Sequence, residues 1–244
     1  MNFDCPDSAR AVVNYRELAR HYDASCRRVA SLRCEAIALL GLRRGDCVLD
    51  VACGTGLSFP ALRAAVGEHG SVVGVELSPD MCALAKERIR NAGWENVFIV
   101  HADALTADLG PHYFDTLLFH FTHDVLRQPK ALERLLSRAK PNARIAVAGF
   151  KAAPKWAALA TGFAMWRARK YLTTYEGIVA PWSYLTTWVL DFQWQPRLLG
   201  TGYIGWGNVA PPVASQSDQR PNTLPDATIG TRAMRYKRKK TFIS

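Results

Sequence analysis

Two acidic side chains, Asp50 and Glu76, sit where carboxylates can do binding chemistry. Asp50 lies in the apolar run Val48-Leu49-Asp50-Val51, and Ala52-Cys53-Gly54-Thr55-Gly56 follows at once. A buried parallel strand that ends this way can turn sharply into a helix, with backbone bare enough for a ligand to approach. Twenty residues after Gly56, Glu76 ends a second apolar run, Ser71-Val72-Val73-Gly74-Val75. A carboxylate there can accept hydrogen bonds from both hydroxyls of a ribose. Further on, Phe119-His120-Phe121-Thr122-His123-Asp124 follows another apolar run. An imidazole titrates near neutrality, so His123, oriented by Asp124, could be a general base. Equally, His123 and Asp124 could cap the next helix. These features predict a nucleoside-type cofactor in the first half of the chain.

The loop narrows the choice of cofactor. A dinucleotide fold wants G-x-G-x-x-G, and Phe59 stands where its third glycine would fall; no G-x-x-x-x-G-K-[ST] is present either. A ligand without phosphates suits it better. On Asp50 to Gly56, Val73-Gly74-Val75-Glu76-Leu77-Ser78-Pro79-Asp80-Met81, His101-Ala102-Asp103-Ala104 and Phe114-Asp115-Thr116-Leu117-Leu118-Phe119, the chain resembles the class I S-adenosylmethionine (SAM) dependent methyltransferases, particularly small-molecule members. The resemblance runs from about Tyr15 to Trp206.

The resemblance implies roles residue by residue. Asp50 would orient the loop and reach the ligand's amino group directly or through water. The backbone of Ala52, Cys53 and Gly54 would line the methionine portion, and Gly56 would let the helix N-terminus point at it. Glu76 would take the ribose, Leu77 and Met81 would sandwich the adenine, and Asp103 would accept from the adenine amino group beside a backbone contact from Ala104. Asp103 read alone could equally be a loop residue or helix cap. His120 would line the site through its backbone. The segment Tyr15 to Asp23 resembles a helix that closes over the cofactor, with Tyr22 against the sulfonium or carboxylate, or else a core tyrosine.

The elements that must position these residues follow from periodicity. Apolar positions at helical spacing from Tyr15 to Leu40, closed by Gly41, predict two helices. Strands are predicted at Val48–Val51, Val72–Val75, Val97–Val100, Thr116–Phe121 and Arg144–Gly149, and helices at Phe59–Val66 and Pro129–Ala139. A further helix is capped by Ser78, with Pro79 at its first position, and stopped by Asn91-Ala92-Gly93. Alternating strands and helices predict an α/β fold with a doubly wound parallel sheet. A strand pair, Phe192–Gln195 and Leu198–Trp206 around a turn at Pro196, would complete the Rossmann-like, seven-stranded sheet that the resemblance implies.

One domain is expected over 1–209, with a helical lid insertion at about 150–189 and a flexible basic tail at 210–244. The insertion is rich in aromatics: Trp156, Phe163, Trp166, Tyr171, Tyr175, Trp182, Tyr184 and Trp188. These rings form the lid's own core, or some of them, Tyr175 and Trp182 chosen here, face a cationic sulfonium. From Asn208 onward seven basic and two acidic residues carry half of the formal charge of +10. Such a tail could touch RNA or an anionic membrane, or could simply be a solvated extension.

The six cysteines, all within the first 82 residues, show no C-x-x-C pair and no metal-ligand spacing. They read as small buried hydrophobes in a reducing cytosol, and no metal is expected. No signal-peptide pattern and no apolar run of membrane-spanning length appears. The N/D-P-P-Y/F and Pro-Cys patterns of nucleic-acid methylating enzymes are missing too, so a nucleic-acid substrate is not expected. The resulting expectation is a cytoplasmic SAM-dependent methyltransferase, monomer or homodimer, acting on a small apolar or aromatic metabolite. Two alternatives stay open. One is an enzyme that cyclises SAM to azetidine-2-carboxylate and methylthioadenosine; the other is a non-catalytic SAM- or RNA-binding protein.

Overall fold

A computed structural model of the protein describes residues 5–110, 113–153, 162, 166 and 168–210. The basic tail beyond residue 210, and Trp156 and Phe163 of the aromatic insertion, lie outside the described residues. Two helices, α1 (Ser8–Cys26) and α2 (Ala30–Leu39), precede the sheet. Then come β1 (Cys47–Val51), α3 (Phe59–Val66), β2 (Ser71–Glu76), α4 (Pro79–Ala92), β3 (Val97–His101), β4 (Phe114–His120), α5 (His123–Leu126), α6 (Pro129–Leu136), β5 (Ala139–Phe150), β6 (Val189–Arg197) and β7 (Gly202–Val209).

The seven strands form one sheet in the order β3-β2-β1-β4-β5-β7-β6, parallel from β3 to β5 and antiparallel at β7 and β6. The chain winds outward from β1 on one side and resumes at β4 on the other. That reversal opens a crevice at the carboxyl ends of β1 and β4, where ligands of such sheets bind.

Alternation within the strands explains the layering. Leu49, Val73, Leu117 and Ile145 turn to one face and pack with Leu126, Leu132 and Leu135. Val48, Val72, Leu118 and Ala146 turn to the other and pack with Leu32, Leu40, Phe59 and Leu62. Strands buried on both faces read as unbroken apolar runs, which is why β1 and β2 stand out in the sequence.

Helix α4 has the predicted ends: Ser78 Oγ accepts from Met81 N at 3.4 Å, and Gly93 takes a left-handed φ of 64°. Several boundaries differ; β7, for one, begins at Gly202 rather than Leu198, because Leu198–Gly200 form a short 3₁₀ turn. Helix α1 begins at Ser8, where the Asp7 carboxylate caps Arg10 N at 2.9 Å. The helix predicted to run to Ala139 ends at Leu136, because Ala139 already pairs with Phe114 across a bulged start of β5. Pro196 lies inside β6 rather than in a turn; β6 pairs with β7 alone, and an edge strand tolerates a proline.

The described part of the aromatic insertion between Tyr171 and Trp188 is built of turns and one short 3₁₀ turn at Leu185–Thr187, not of helix. Of the cysteines, Cys26 and Cys82 are buried, whereas Cys5 and Cys34 are exposed, so the reading of all six as buried hydrophobes is corrected. No described helix is long and apolar enough to cross a membrane.

Candidate active site

The turn after β1 is held in a strained shape. Ala52 takes φ 49°, Gly54 59° and Gly56 74°. A left-handed alanine costs free energy, and such strain is kept where a backbone must be presented. Cys53 N donates to Val75 O at 3.0 Å, and the Cys53 side chain fills the space over Gly74, where a Cβ would sit 2.6 Å from Sγ. Cys53 therefore faces the sheet while its neighbours Ala52 and Gly54 line a cavity.

Glu76 receives Gly54 N at 2.9 Å on one oxygen and Ser78 N at 2.8 Å on the other. It thus ties the loop to the start of α4. Burial raises its pKa, against the pull of those N–H donors. Asp50 is 2% exposed and keeps one oxygen without a hydrogen-bond partner among the described residues. Burial pushes its pKa up to about 7, with Arg33 lowering it and Glu76 raising it. A buried carboxylate oxygen left unpaired calls for a partner, such as a water or a polar guest. Asp50 itself does not line the cavity; it stands behind the loop, as a carboxylate that acts on a ligand through water would.

Helix α1 covers the loop. Thr55 Oγ1 donates to Asp23 at 2.5 Å, and Arg88 of α4 bonds both Asp23, at 2.6 Å, and Thr55 O, at 2.9 Å. At its other end Ser8 Oγ donates to Asp103 Oδ2 at 2.5 Å, while Asp103 Oδ1 caps Leu105 N at 2.8 Å. Asp7 N donates to Thr173 Oγ1 at 2.9 Å, and Thr173 bonds Asp124 through both its hydroxyl (2.7 Å) and its N–H (3.0 Å). Tyr15 Oη donates to Tyr171 O at 3.3 Å. The Tyr22 ring rests over Gly54 and meets Tyr15 and Tyr171 edge-on at 6.1 and 6.2 Å.

Two cavities result. The first encloses about 840 Å³ with its mouth, and Tyr22, Ala52, Gly54, Glu76, Leu77, Met81, Asp103, Ala104, His123 and Asp124 line it. The second, about 1060 Å³, is mainly apolar; Cys26, Val29, Phe150, Leu198 and Tyr203 contribute to its wall. Tyr15, Tyr22, Phe121, His123, Tyr171 and Leu172 are common to both, so the two adjoin there.

Several expected roles change. Asp124 does not orient His123, because its carboxylate is taken by Thr173; nor does its side chain cap α5, which shows no side-chain cap. Neither ring nitrogen of His123 makes a hydrogen bond of ordinary geometry among the described residues. Burial, then the Arg127 charge, lowers the His123 pKa to about 4, so the ring is neutral at physiological pH. His120 and Gly56 lie off the cavity wall, which begins one residue after His120 at Phe121 (φ 59°). Trp182 belongs to the core, packed at 4.5 Å against both Trp194 and Tyr203, and half-buried Tyr175 lines neither cavity.

Sequence reasoning missed Asp7, Ser8, Ala11 and Val12 as site residues, although an aspartate before a helical run is an N-cap signal. It also gave no special place to Tyr171 or Phe121.

A methyltransferase-domain family model matches residues 48–142. The demethylmenaquinone methyltransferase of Shouchella clausii is 30% identical over 137 residues, 54% of this chain and 58% of that protein. The protein of the same name from Staphylococcus aureus is 38% identical over 101 residues, 40% of this chain and 41% of its own. The chain thus spans little more than half the length of the curated relatives it matches. Among solved structures, a SAM-dependent methyltransferase from Aquifex aeolicus superposes with a TM-score of 0.53 at 21% identity, covering 73% of this chain and 89% of that one. Phosphoethanolamine N-methyltransferase 2 of Haemonchus contortus, in complex with SAM, gives 0.57 at 15% identity, covering 72% and 52%. These structural likenesses speak to the fold. Residues 48–142 thus match a methyltransferase domain, the chain is similar over part of its length to proteins named methyltransferases, and its seven-stranded sheet has the fold of SAM-dependent methyltransferase structures.

Proposed function

We propose that the protein transfers a methyl group from SAM to a small, apolar or aromatic acceptor in the cytoplasm. The observation that carries this reading is the apolar second cavity, which shares Tyr15, Tyr22, Phe121, His123, Tyr171 and Leu172 with the cavity that holds Glu76. SAM, when bound, supplies an activated methyl on a sulfonium for in-line displacement, so the protein's task is alignment and exclusion of water. Glu76 would take the ribose hydroxyls, Leu77 and Met81 the adenine faces, and the loop at Ala52–Gly54 the methionine portion. Asp50 would balance the ligand's positive charge from behind the loop. Tyr22, between the two cavities, would set the approach of the acceptor. His123 stands on the shared wall as a neutral imidazole, able to accept a hydrogen bond from the acceptor and to receive its proton as the methyl arrives.

The relatives named demethylmenaquinone methyltransferase suggest a reduced naphthoquinone as a first acceptor to try. The purified protein is incubated with SAM alone and with SAM plus that naphthoquinol, and the nucleoside product is identified by mass spectrometry. S-adenosylhomocysteine formed only with acceptor is the expected result. Methylthioadenosine from SAM alone would overturn methyl transfer in favour of cyclisation at the γ-carbon.

A further inference from the structure

The connection between β6 and β7 is conformationally expensive and apolar at once. Leu198 and Leu199 take left-handed φ values of 51° and 54°, ahead of Gly200 at 86°. Leucine is disfavoured there, and glycine or asparagine would relieve the strain. Yet Leu199 is 89% exposed, so no packing in the described fold repays it. Its neighbour Leu198, 39% exposed, lines the apolar cavity. The tip is therefore an apolar projection at the cavity's rim.

One cation lines the same cavity, and others adjoin its wall residues in sequence. Arg28, which lines it, is exposed, as is Arg27 beside it. Arg169 and Lys170, also exposed, directly follow Ala168 of the cavity wall. Arg197, next to Leu198, pairs with Glu35 of α2, so that carboxylate is neutralised. A projecting leucine beside an apolar cavity whose wall bears the exposed Arg28 matches a surface that is anionic outside and hydrocarbon within.

We propose that the rim of the apolar cavity, marked by Leu198, Leu199 and Arg28, docks on an anionic phospholipid bilayer, from which an apolar acceptor enters the cavity. The purpose rests on reading that cavity as the acceptor's. Docking itself is measured without turnover, so either idea can fail while the other stands.

The full chain is floated with vesicles of phosphatidylcholine alone and of phosphatidylcholine mixed with phosphatidylglycerol. Binding is expected to the mixed vesicles and not to the neutral ones. Leu199→Ser should lower the partition coefficient about tenfold, through loss of a partly inserted leucine. Arg28→Ala should lower it about fivefold. Leu199→Gly removes the same side chain while relieving the backbone, so it keeps the fold and separates lost docking from lost structure. Mixed-vesicle binding that survives all three changes would overturn the proposal and assign the contact to another part of the chain. No binding by the wild type would overturn it as well. So would sedimentation that shows self-association abolished by Leu199→Gly with vesicle binding intact, because the tip would then join two copies.

Discussion

Glu76 does two jobs with one carboxylate, which sets what its substitution will show. It accepts from Gly54 N and Ser78 N and so shapes the loop that it is proposed to help fill. Glu76→Gln keeps the shape but turns an NH₂ toward one of those donors, a mismatch worth about 1–3 kcal/mol. SAM affinity by calorimetry should fall about tenfold or more, with a lowered melting temperature as the sign that the loop is also loosened. Asp50 makes a pH prediction. With a pKa of about 7 it is largely protonated below that and ionised above. A cationic ligand favours the ionised form, so SAM should bind more tightly as pH rises from about 6 to 7.5, by at most about tenfold per unit. Asp50→Asn should flatten that rise; an unchanged slope would assign it to another group. Both carboxylates stood out in the sequence, Asp50 within one apolar run just before a glycine loop and Glu76 at the end of another. The role of Asp124 did not: adjacency to His123 suggested a pair, whereas its partner Thr173 is 49 residues away.

At the scale of elements, periodicity and caps located α3, α4 and the strands β1 to β4 to within a residue or two, and missed the first five residues of β5. Such signals are local, and β1, β2 and β4, buried on both faces, leave long apolar runs. The insertion was the hard part. Its aromatics suggested a helical lid facing the ligand, but Trp182 spends its ring on the core beside Tyr203 and Trp194. An aromatic stripe does not say which side it packs on. What closes the site instead is a tie between α1 and the Thr173 turn, Asp7 N to Thr173 to Asp124. Thr173→Val removes the hydroxyl from both bonds while keeping the volume. It should speed SAM dissociation in stopped flow by about five- to a hundredfold, as one or two partly buried hydrogen bonds would. Hydrogen exchange should rise in α1 and around Thr173 and leave β1 unaffected. If release is unchanged, the tie fastens the fold without gating the ligand.

For the whole molecule, the crevice between β1 and β4 gathers buried ionisable groups of both kinds, and they push stability in opposite directions with pH. His120 and His123 are held neutral by burial, His123 to a pKa of about 4. The unfolded chain then binds protons that the native state refuses, so this contribution is present above about pH 6.5 and is lost as pH falls toward the folded value. Asp50, Glu76 and Asp124 are raised by burial, Asp50 to about 7. Here the native state holds the extra protons, so the contribution is complete below about pH 4 and is lost as pH rises through the folded pKa. Between about pH 4.5 and 6.5 the two slopes oppose each other, so the denaturant midpoint of the ligand-free protein should vary less with pH than either set of groups alone would make it. Single substitutions should tilt it. His123→Phe removes one proton-refusing group, so the midpoint should climb as pH falls. Asp50→Asn removes one proton-holding group, so the midpoint should drop instead. Parallel profiles for the wild type and both variants would mean that neither group titrates as its burial requires, and the electrostatic reading of the crevice would fail with them.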